Sequence, residues 1–477
     1  MKAPFSPYLL GIRDGLKSLI AMLDRDYAYV SALATDSVGL AVRISQHAKA
    51  VQNETMTTER GIVLRVWKDG LYSEYALNGF DPAAPEKAYA EVKASLSAQM
   101  EILRAADAKI YDTPVLADEP LTLFVEKETE QLPETTDVRA LVDRLTALSD
   151  RAMTLDPRMI ECMANAQSTH ICKMFLTKNR DLCQSYVYSE GNLAAVVMEN
   201  GCNQFDYEGV SGLCGPELFG QLDDKAEKVV ASAVELLSAG RIEPGEYEVI
   251  TSPEVTGLIA HEAFGHGVEM DMFVKNRALG RDYIGKRVGS DQCTMHEGAL
   301  CAEDVTSYVF DDEGTLAGDV TEIDHGILRT GICDALSALR LGTQPTGNGK
   351  RENFEHKVYT RMTNTVFDSG DATLEEMIAS VQHGYLLEGM ESGMEDPKHW
   401  GIQCIIKKGR EIRDGVLTGK VVAPIIMTGY VPDLLGGISM CSRDREIFGN
   451  GGCGKGYKEW VKVADGGPYL KTKARLG

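Results

Sequence analysis

A chain of 477 residues with 71 acidic and 49 basic side chains carries a formal charge of −22, a field that repels a phosphate backbone and argues against nucleic-acid binding. No Lys/Arg cluster is large enough to make a local exception. No apolar run reaches membrane-spanning length and Met1 to Phe5 lacks a signal-like apolar stretch, so a cytoplasmic protein with no membrane partner is expected, too long for one hydrophobic core.

The eleven cysteines are scattered singly with no C-x-x-C pair, which fits a reducing compartment; ten read as small buried hydrophobes. Cys293 and His296 are close in sequence, but nothing nearby completes a ligand set.

Taken in chain order, Ser6 to Leu23 reads as an amphipathic helix. Gly39 to Ser45 and Gly61 to Lys68 alternate like strands, and Lys68-Asp69-Gly70 turns the chain into Leu71 to Leu77 as a hairpin. Helical periodicity runs from Pro85 to Ala108 and again from Asp137 to Leu155. A Pro- and acid-rich stretch between them holds one short strand, Leu121 to Val125. Hairpin-like strands occupy His170 to Tyr207, and a helix spans Asp223 to Ala239. The Gly240-Arg241-Ile242-Glu243-Pro244-Gly245 break marks the domain boundary. From Cys301 onward, short strands and glycine turns predominate, with a helix near Leu374 to Gln382. The fold class is therefore α+β: an N-terminal α+β domain, 1–240, followed by a β-rich C-terminal domain, 241–477, that carries a metal-binding helix.

That helix holds the most informative stretch, His261-Glu262-Ala263-Phe264-Gly265-His266. Two imidazoles on one helix grip a divalent metal, and an adjacent carboxylate takes a proton from metal-bound water. The familiar zinc-peptidase spacing puts the histidines at i and i+4. Here they stand at i and i+5, which on a regular helix turns the second ring about 140° from the first. A π-bulge would restore a common face, and Gly265 and Gly267 lower the steric cost of that distortion. The segment before it is well marked: Tyr247 to Ile250 as a strand, then Thr251-Ser252-Pro253-Glu254 as a capped helix start. Val255, Leu258, Ile259, Phe264 and Val268 surround the histidines with apolar side chains, and buried ionisable groups there need a partner.

Two histidines need a third ligand. Glu269, three residues past His266, is one candidate. The stronger one is Cys453 in Gly449-Asn450-Gly451-Gly452-Cys453-Gly454-Lys455-Gly456, where glycines let the backbone approach closely and Lys455 favours the thiolate.

The pairing of H-E-x-x-x-H with this Cys-Gly-Lys-Gly loop resembles the TldD/PmbA family of zinc metallopeptidases, in its metal-bearing TldD-type form. Gly265-His266-Gly267-Val268-Glu269, Pro345-Thr346-Gly347-Asn348-Gly349, Arg361-Met362-Thr363-Asn364-Thr365 and Gly466-Gly467-Pro468 carry the same resemblance in order across about the last 240 residues. One departure is that family members commonly follow the Cys-Gly-Lys run with Gly-Gln, whereas here Gly456 is followed by Tyr457 and Lys458. The resemblance implies one zinc per chain on His261, His266 and Cys453, with Glu262 as the general base. It also implies a dimer, either a homodimer or a heterodimer with a metal-free paralogue. The family's association with DNA gyrase is not read as DNA contact.

The expected function is a zinc-dependent peptidase that hydrolyses unfolded or extended peptides through a metal-activated water, the peptide adding to an exposed strand near the ion. Arg361, Asn364 and Thr365 are candidates to line the substrate channel; the alternative for them is a strand with structural hydrogen bonds. Two rival functions stay open: a zinc amidohydrolase acting on a small molecule, and a zinc-binding scaffold that needs a partner subunit. Pro345 to Lys350 is not a phosphate loop, since no strand-loop-helix with Gly-Lys-Ser/Thr follows.

Overall fold

The computed structural model describes residues 1–106, 111–457 and 459–477. Two large sheets organise the chain, and the boundary between them falls between Gly212 and Gly245.

The first sheet has eight strands. Its central path runs Leu71–Leu77, Arg60–Lys68, Tyr29–Ile44, Met159–Thr177, Arg180–Glu199 and Leu121–Glu126, with Lys49–Gln52 beside the third and Cys202–Gly212 beside the fifth. All pairs are antiparallel except Leu121–Glu126, which runs parallel to Arg180–Ser185. The Lys68-Asp69-Gly70 hairpin forms as read, with Asp69 and Gly70 at φ 49° and 83°, the positive values a tight two-residue turn needs. The first strand begins at Tyr29, ten residues before the alternation that marked it. Tyr29 to Ser37 is buried on both faces, so its sequence shows no polar-apolar alternation. Helices Pro7–Leu23 and Pro85–Ala105 pack on one end of this sheet. Helices Val138–Met153 and Ala226–Leu236 pack on the other. The helix read to Ala108 ends at Ala105, with Ala106 already extended, and positions 107 and 108 lie outside the described residues. The one read from Asp223 is a 3₁₀ segment, Pro216–Lys225, that passes into the α-helix from Ala226.

In the second half the strands are longer than the glycine-rich sequence indicated, reaching 14 residues in His383–Asp396. Five of them close a hydrogen-bonded circuit: Gly245–Thr251, His383–Asp396, Gly401–Arg413, Ile425–Tyr430 and Ala464–Leu476, the last returning to the first. Helix Leu374–Ala379 forms where expected, with a Thr373/Glu376 capping box. Among the described residues three further helices, Met270–Val274, Ala335–Leu341 and Val431–Gly436, are too short to show a period in sequence. The core of this half gathers Leu258, Ile259, Phe264, Trp400 and Leu470, with the Phe264 and Trp400 rings 5.5 Å apart.

The halves meet along charged seams. Lys407 pairs with Asp206, Lys462 with Glu190 at 2.8 Å and Arg410 with Glu235 at 2.6 Å. The cleft that holds the candidate site is lined by two of these pairs, Lys407 with Asp206 and Arg410 with Glu235.

Candidate metal centre

Strand Gly245–Thr251 delivers the chain to Ser252, whose hydroxyl accepts from the Val255 amide, and Pro253 opens the helix Pro253–Ile259. The coil then widens. Ala260–Gly265 is a π-turn, and the His266 amide donates to the carbonyl of His261, five residues back. This is the distortion that the i, i+5 spacing demanded, and it brings the two imidazoles together at 5.1 Å between centroids and an interplanar angle of 86°. The flanking glycines serve a different end from the one expected. Gly265 has an ordinary helical φ of −56°, so conformational freedom is not its use. A Cβ on it would stand 2.2 Å from the Met362 sulfur, and one on Gly267 would stand 2.8 Å from a Glu395 oxygen. They are there for close approach.

Cys453 sits on a short strand rather than a loop. Gly452–Lys455 pairs with Glu459–Lys462, and Cys453, 5% exposed, packs with Ile332, Met362, Val461 and Val463. Gly456 turns the hairpin at φ +64°. The hairpin sets Cys453 Sγ 3.4 Å from His266 Nε2, and one ligand atom from each of His261, His266 and Cys453 lies within 4.8 Å of the others.

Burial opposes charge on all three groups, yet their mutual contacts prevail. Desolvation lowers the His261 imidazole, but the Cys453 sulfur outweighs it and lifts His261 to about 9; His266 rises for the same reason. Burial would raise the Cys453 thiol, and the two imidazoles instead bring it well below its ordinary value. The two rings therefore favour the thiolate of Cys453, the form a cation requires of its sulfur ligand.

The carboxylates around it divide by role. Glu269 stands behind His266 rather than beside the ion position: its Oε2 is 3.1 Å from His266 Nδ1. Lys455, expected to favour the thiolate, instead grips Glu269 at 3.1 Å and Asp271 at 2.7 Å. Burial raises the Glu269 carboxyl, and the Lys455 ammonium overrides it, leaving a value of about 2. Asp465 approaches His261 from the other side, with Oδ2 3.9 Å from Nδ1. Glu269 carried a signal only through its nearness to His266, and Asp465 carried none toward His261, although it immediately precedes the Gly466-Gly467-Pro468 run.

Glu262 points into the cleft, partly exposed, its stem against Gly393: a Cβ there would come within 2.5 Å of Glu262 Cγ. The cleft has a volume of about 1680 Å³ and is walled by the strand His383–Asp396, the Tyr207–Gly209 segment and the Cys453 hairpin. Arg361, Asn364 and Thr365 are not on this wall. Arg361, 1% exposed, donates to the carbonyls of Cys453 and Glu459; Asn364 donates to Gly298 and Ala302, and Thr365 to Glu297. They form a buried bonded layer behind the thiol. Cys293 is buried away from the cleft, and His296 lies between Asp319 and Asp368.

Two imidazoles and a thiolate are a donor set suited to zinc. The 3.4 Å between sulfur and Nε2 matches the roughly 3.5 Å expected of two donors at about 2.3 and 2.1 Å from one tetrahedral ion. The residues fit the metal.

Residues 244–472 match the family described as the PmbA/TldA metallopeptidase C-terminal domain. A metalloprotease of Methanocaldococcus jannaschii is 32% identical over 281 residues, 59% of this chain and 61% of that protein. A zinc metalloprotease TldD homolog of Saccharolobus solfataricus is 32% identical over 48% of this chain and 51% of its own length. A metalloprotease TldD homolog of Buchnera aphidicola is 28% identical over 68% of each. The chain thus spans about 61% of the length of the first of these relatives. Among solved structures, a putative modulator of a DNA gyrase from Thermotoga maritima superposes with a TM-score of 0.76 at 17% identity, covering 98% of this chain and 100% of that one. TldE from Thermococcus kodakarensis gives 0.74 at 17% identity, over 97% and 100%. At that identity the likeness is one of fold.

Proposed function

We propose, from the match of residues 244–472 to the PmbA/TldA metallopeptidase C-terminal domain and from the likeness to TldD-type metalloproteases, that the chain is a zinc-dependent peptidase acting on extended or unfolded peptides. His261, His266 and Cys453 hold one zinc per chain, and Glu262 is the general base. The observation that carries the reading is the convergence of those three donors beside a partly exposed, cleft-facing carboxylate. A purely structural site has no use for an unliganded base.

A zinc held by His261, His266 and Cys453 would supply an acidified water, of pKa about 7, and polarisation of the scissile carbonyl. Glu262 accepts the proton of the attacking water and delivers it to the leaving amine. Glu269 holds Nδ1 of His266, which fixes the ring and leaves Nε2 as the donor atom. Lys455 keeps that carboxylate charged. The thiolate of Cys453 gives more charge to the ion than a carboxylate would, which moderates its Lewis acidity.

The peptide lies along an open strand edge. His383–Asp396 is paired with Gly401–Arg413 throughout, but with Gly245–Thr251 only from Gly384 to Leu387. Among the described residues its other edge has no strand partner from Glu388 onward, and Glu388 to Glu395 line the cleft. An extended backbone adds there by main-chain hydrogen bonds, which favours unfolded substrates over particular side chains. The cleft volume, about 1680 Å³, exceeds the roughly 300–1,000 Å³ of small-molecule pockets, which weighs against an amidohydrolase.

The eleven free thiols support a cytoplasmic setting. Among the described residues no helix is long and apolar enough to cross a membrane. A dimer, with a second copy or with a metal-free paralogue, completes the proposal and is read by native mass spectrometry.

Digestion of a peptide library with and without a chelator tests the activity. Cleavage of many unrelated extended peptides, abolished by chelation and restored by zinc, is the expected result. Cleavage indifferent to the chelator, or hydrolysis of small amides alone, would overturn it.

A further inference from the structure

The two histidines differ in what holds them. His266 Nδ1 has the Glu269 carboxylate at 3.1 Å, whereas His261 Nδ1 is buried and makes no hydrogen bond. The carboxylate that approaches it is Asp465, whose Oδ2 stands 3.9 Å away. Asp465 is itself 6% exposed, and its Oδ1 is likewise buried without a partner. Two complementary buried groups thus face each other just beyond hydrogen-bonding range, and each is costly to leave unmade.

The packing shows that this approach is built in. Gly257 lies one helical turn before His261. A Cβ on it would fall 2.5 Å from Asp465 Oδ1 and 2.6 Å from the Gly466 amide nitrogen. The missing side chain lets the strand that carries Asp465 press against the helix at the level of His261. That strand is held in register on both sides, Asp465 opposite Thr365 and opposite Phe448. Asp465 is outside the three-donor cluster, so it acts through His261 rather than on the ion.

We propose that Asp465 is the positioning carboxylate of His261, accepting its Nδ1–H so that the other ring nitrogen is presented to the metal. The centre then has a matched pair of carboxylate–histidine arms, Glu269 with His266 and Asp465 with His261. Ion binding draws the second arm closed, because a coordinated imidazole is a stronger N–H donor. The arms differ in one respect: Glu269 is charge-balanced by Lys455, while no ion pair to Lys or Arg forms at Asp465 among the described residues.

The inference rests on the zinc reading above and is tested separately from it, by zinc affinity of the full-length protein in competition with a chromophoric chelator. Loss of an outer carboxylate of this kind costs roughly 10–100-fold in metal affinity. Asp465→Ala is expected to weaken zinc by that factor and to alter the absorption spectrum of the cobalt-substituted protein. Asp465→Asn, which keeps an acceptor oxygen of the same shape, is expected to recover most of the loss. Gly257→Ala, which drives the strand away, is expected to weaken zinc with Asp465 intact. Wild-type affinity and an unchanged cobalt spectrum in Asp465→Ala would overturn the proposal while leaving the zinc reading intact. An Asn variant as weak as the Ala variant would overturn it too, while a wild-type protein that takes up no zinc would overturn both.

Discussion

Cys453 Sγ lies 3.4 Å from His266 Nε2, although 187 positions separate the two residues along the chain. The contact joins the first strand-helix junction of the C-terminal half to a hairpin near its end, so the centre exists only when this half is folded. Metal binding and folding are therefore linked, and ligand loss is expected to lower stability as well as metal content.

Glu262→Gln separates chemistry from binding. The amide fills the same space against Gly393 but accepts no proton, so zinc content is expected to stay at one per chain. Turnover is expected to fall roughly 10²–10⁴-fold, the contribution of a positioned general base. Steady-state kinetics with a fluorogenic peptide, run beside metal analysis, checks both halves; wild-type turnover would remove this residue from the mechanism.

Lys455→Met leaves Glu269, which is 2% exposed, without its ammonium partner. Breaking a buried pair from one side typically costs about 3–5 kcal/mol, and retention of the His266 contact should hold the loss near the lower end. Urea unfolding with metal present reads it. A midpoint equal to wild type would show that Lys455 is not what balances this carboxylate.

Gly265→Ala overpacks the π-turn against Met362. Inserting a methyl group into a filled core typically costs about 1–3 kcal/mol, and here the nearest obstacle is the Met362 sulfur at 2.2 Å. The double variant with Met362→Ala is expected to regain part of that loss, since removing the sulfur opens the space. A double-mutant cycle by thermal unfolding measures the coupling; simple additivity would mean the obstacle lies elsewhere.

Acid is expected to loosen the seam between the halves. Glu74, on the strand Leu71–Leu77, accepts from Arg65 at 2.8 Å and from Arg351 at 3.0 Å. Burial alone would raise its carboxyl, but the two guanidiniums hold it at about 2, against an ordinary value of 4.5. A folded value below the unfolded one contributes stability above about 4.5 that is lost as the pH falls toward 2. Unfolding midpoints measured from pH 5 down to 3 should fall more steeply in wild type than in Glu74→Gln, and parallel slopes would discount this pair.

Much of the centre was legible because its chemistry is local. The i, i+5 spacing of His261 and His266 required a widened coil, and the chain supplies one from Ala260 to Gly265. Five glycines around Cys453 marked a backbone held close to something, although they serve a paired strand rather than a loose loop. What the sequence hid was tertiary. The ion pair of Lys455 with Glu269 and the approach of Asp465 to His261 depend on strand registers across the second sheet, which no local pattern encodes. The burial of Arg361, Asn364 and Thr365 is of the same kind: the sequence leaves open whether they line the channel or make structural hydrogen bonds until their carbonyl and carboxylate partners are known. The first N-terminal strand runs longer than its alternation indicates, because burial on both faces erases that pattern from Tyr29 to Ser37.

The central claim is that His261, His266 and Cys453 together hold one ion, and metal content of the purified protein after equilibration with zinc tests it most directly. One zinc per wild-type chain is predicted, with near-zero retention after desalting in both His266→Ala and Cys453→Ala. Stoichiometric zinc retained by Cys453→Ala at wild-type affinity would contradict it.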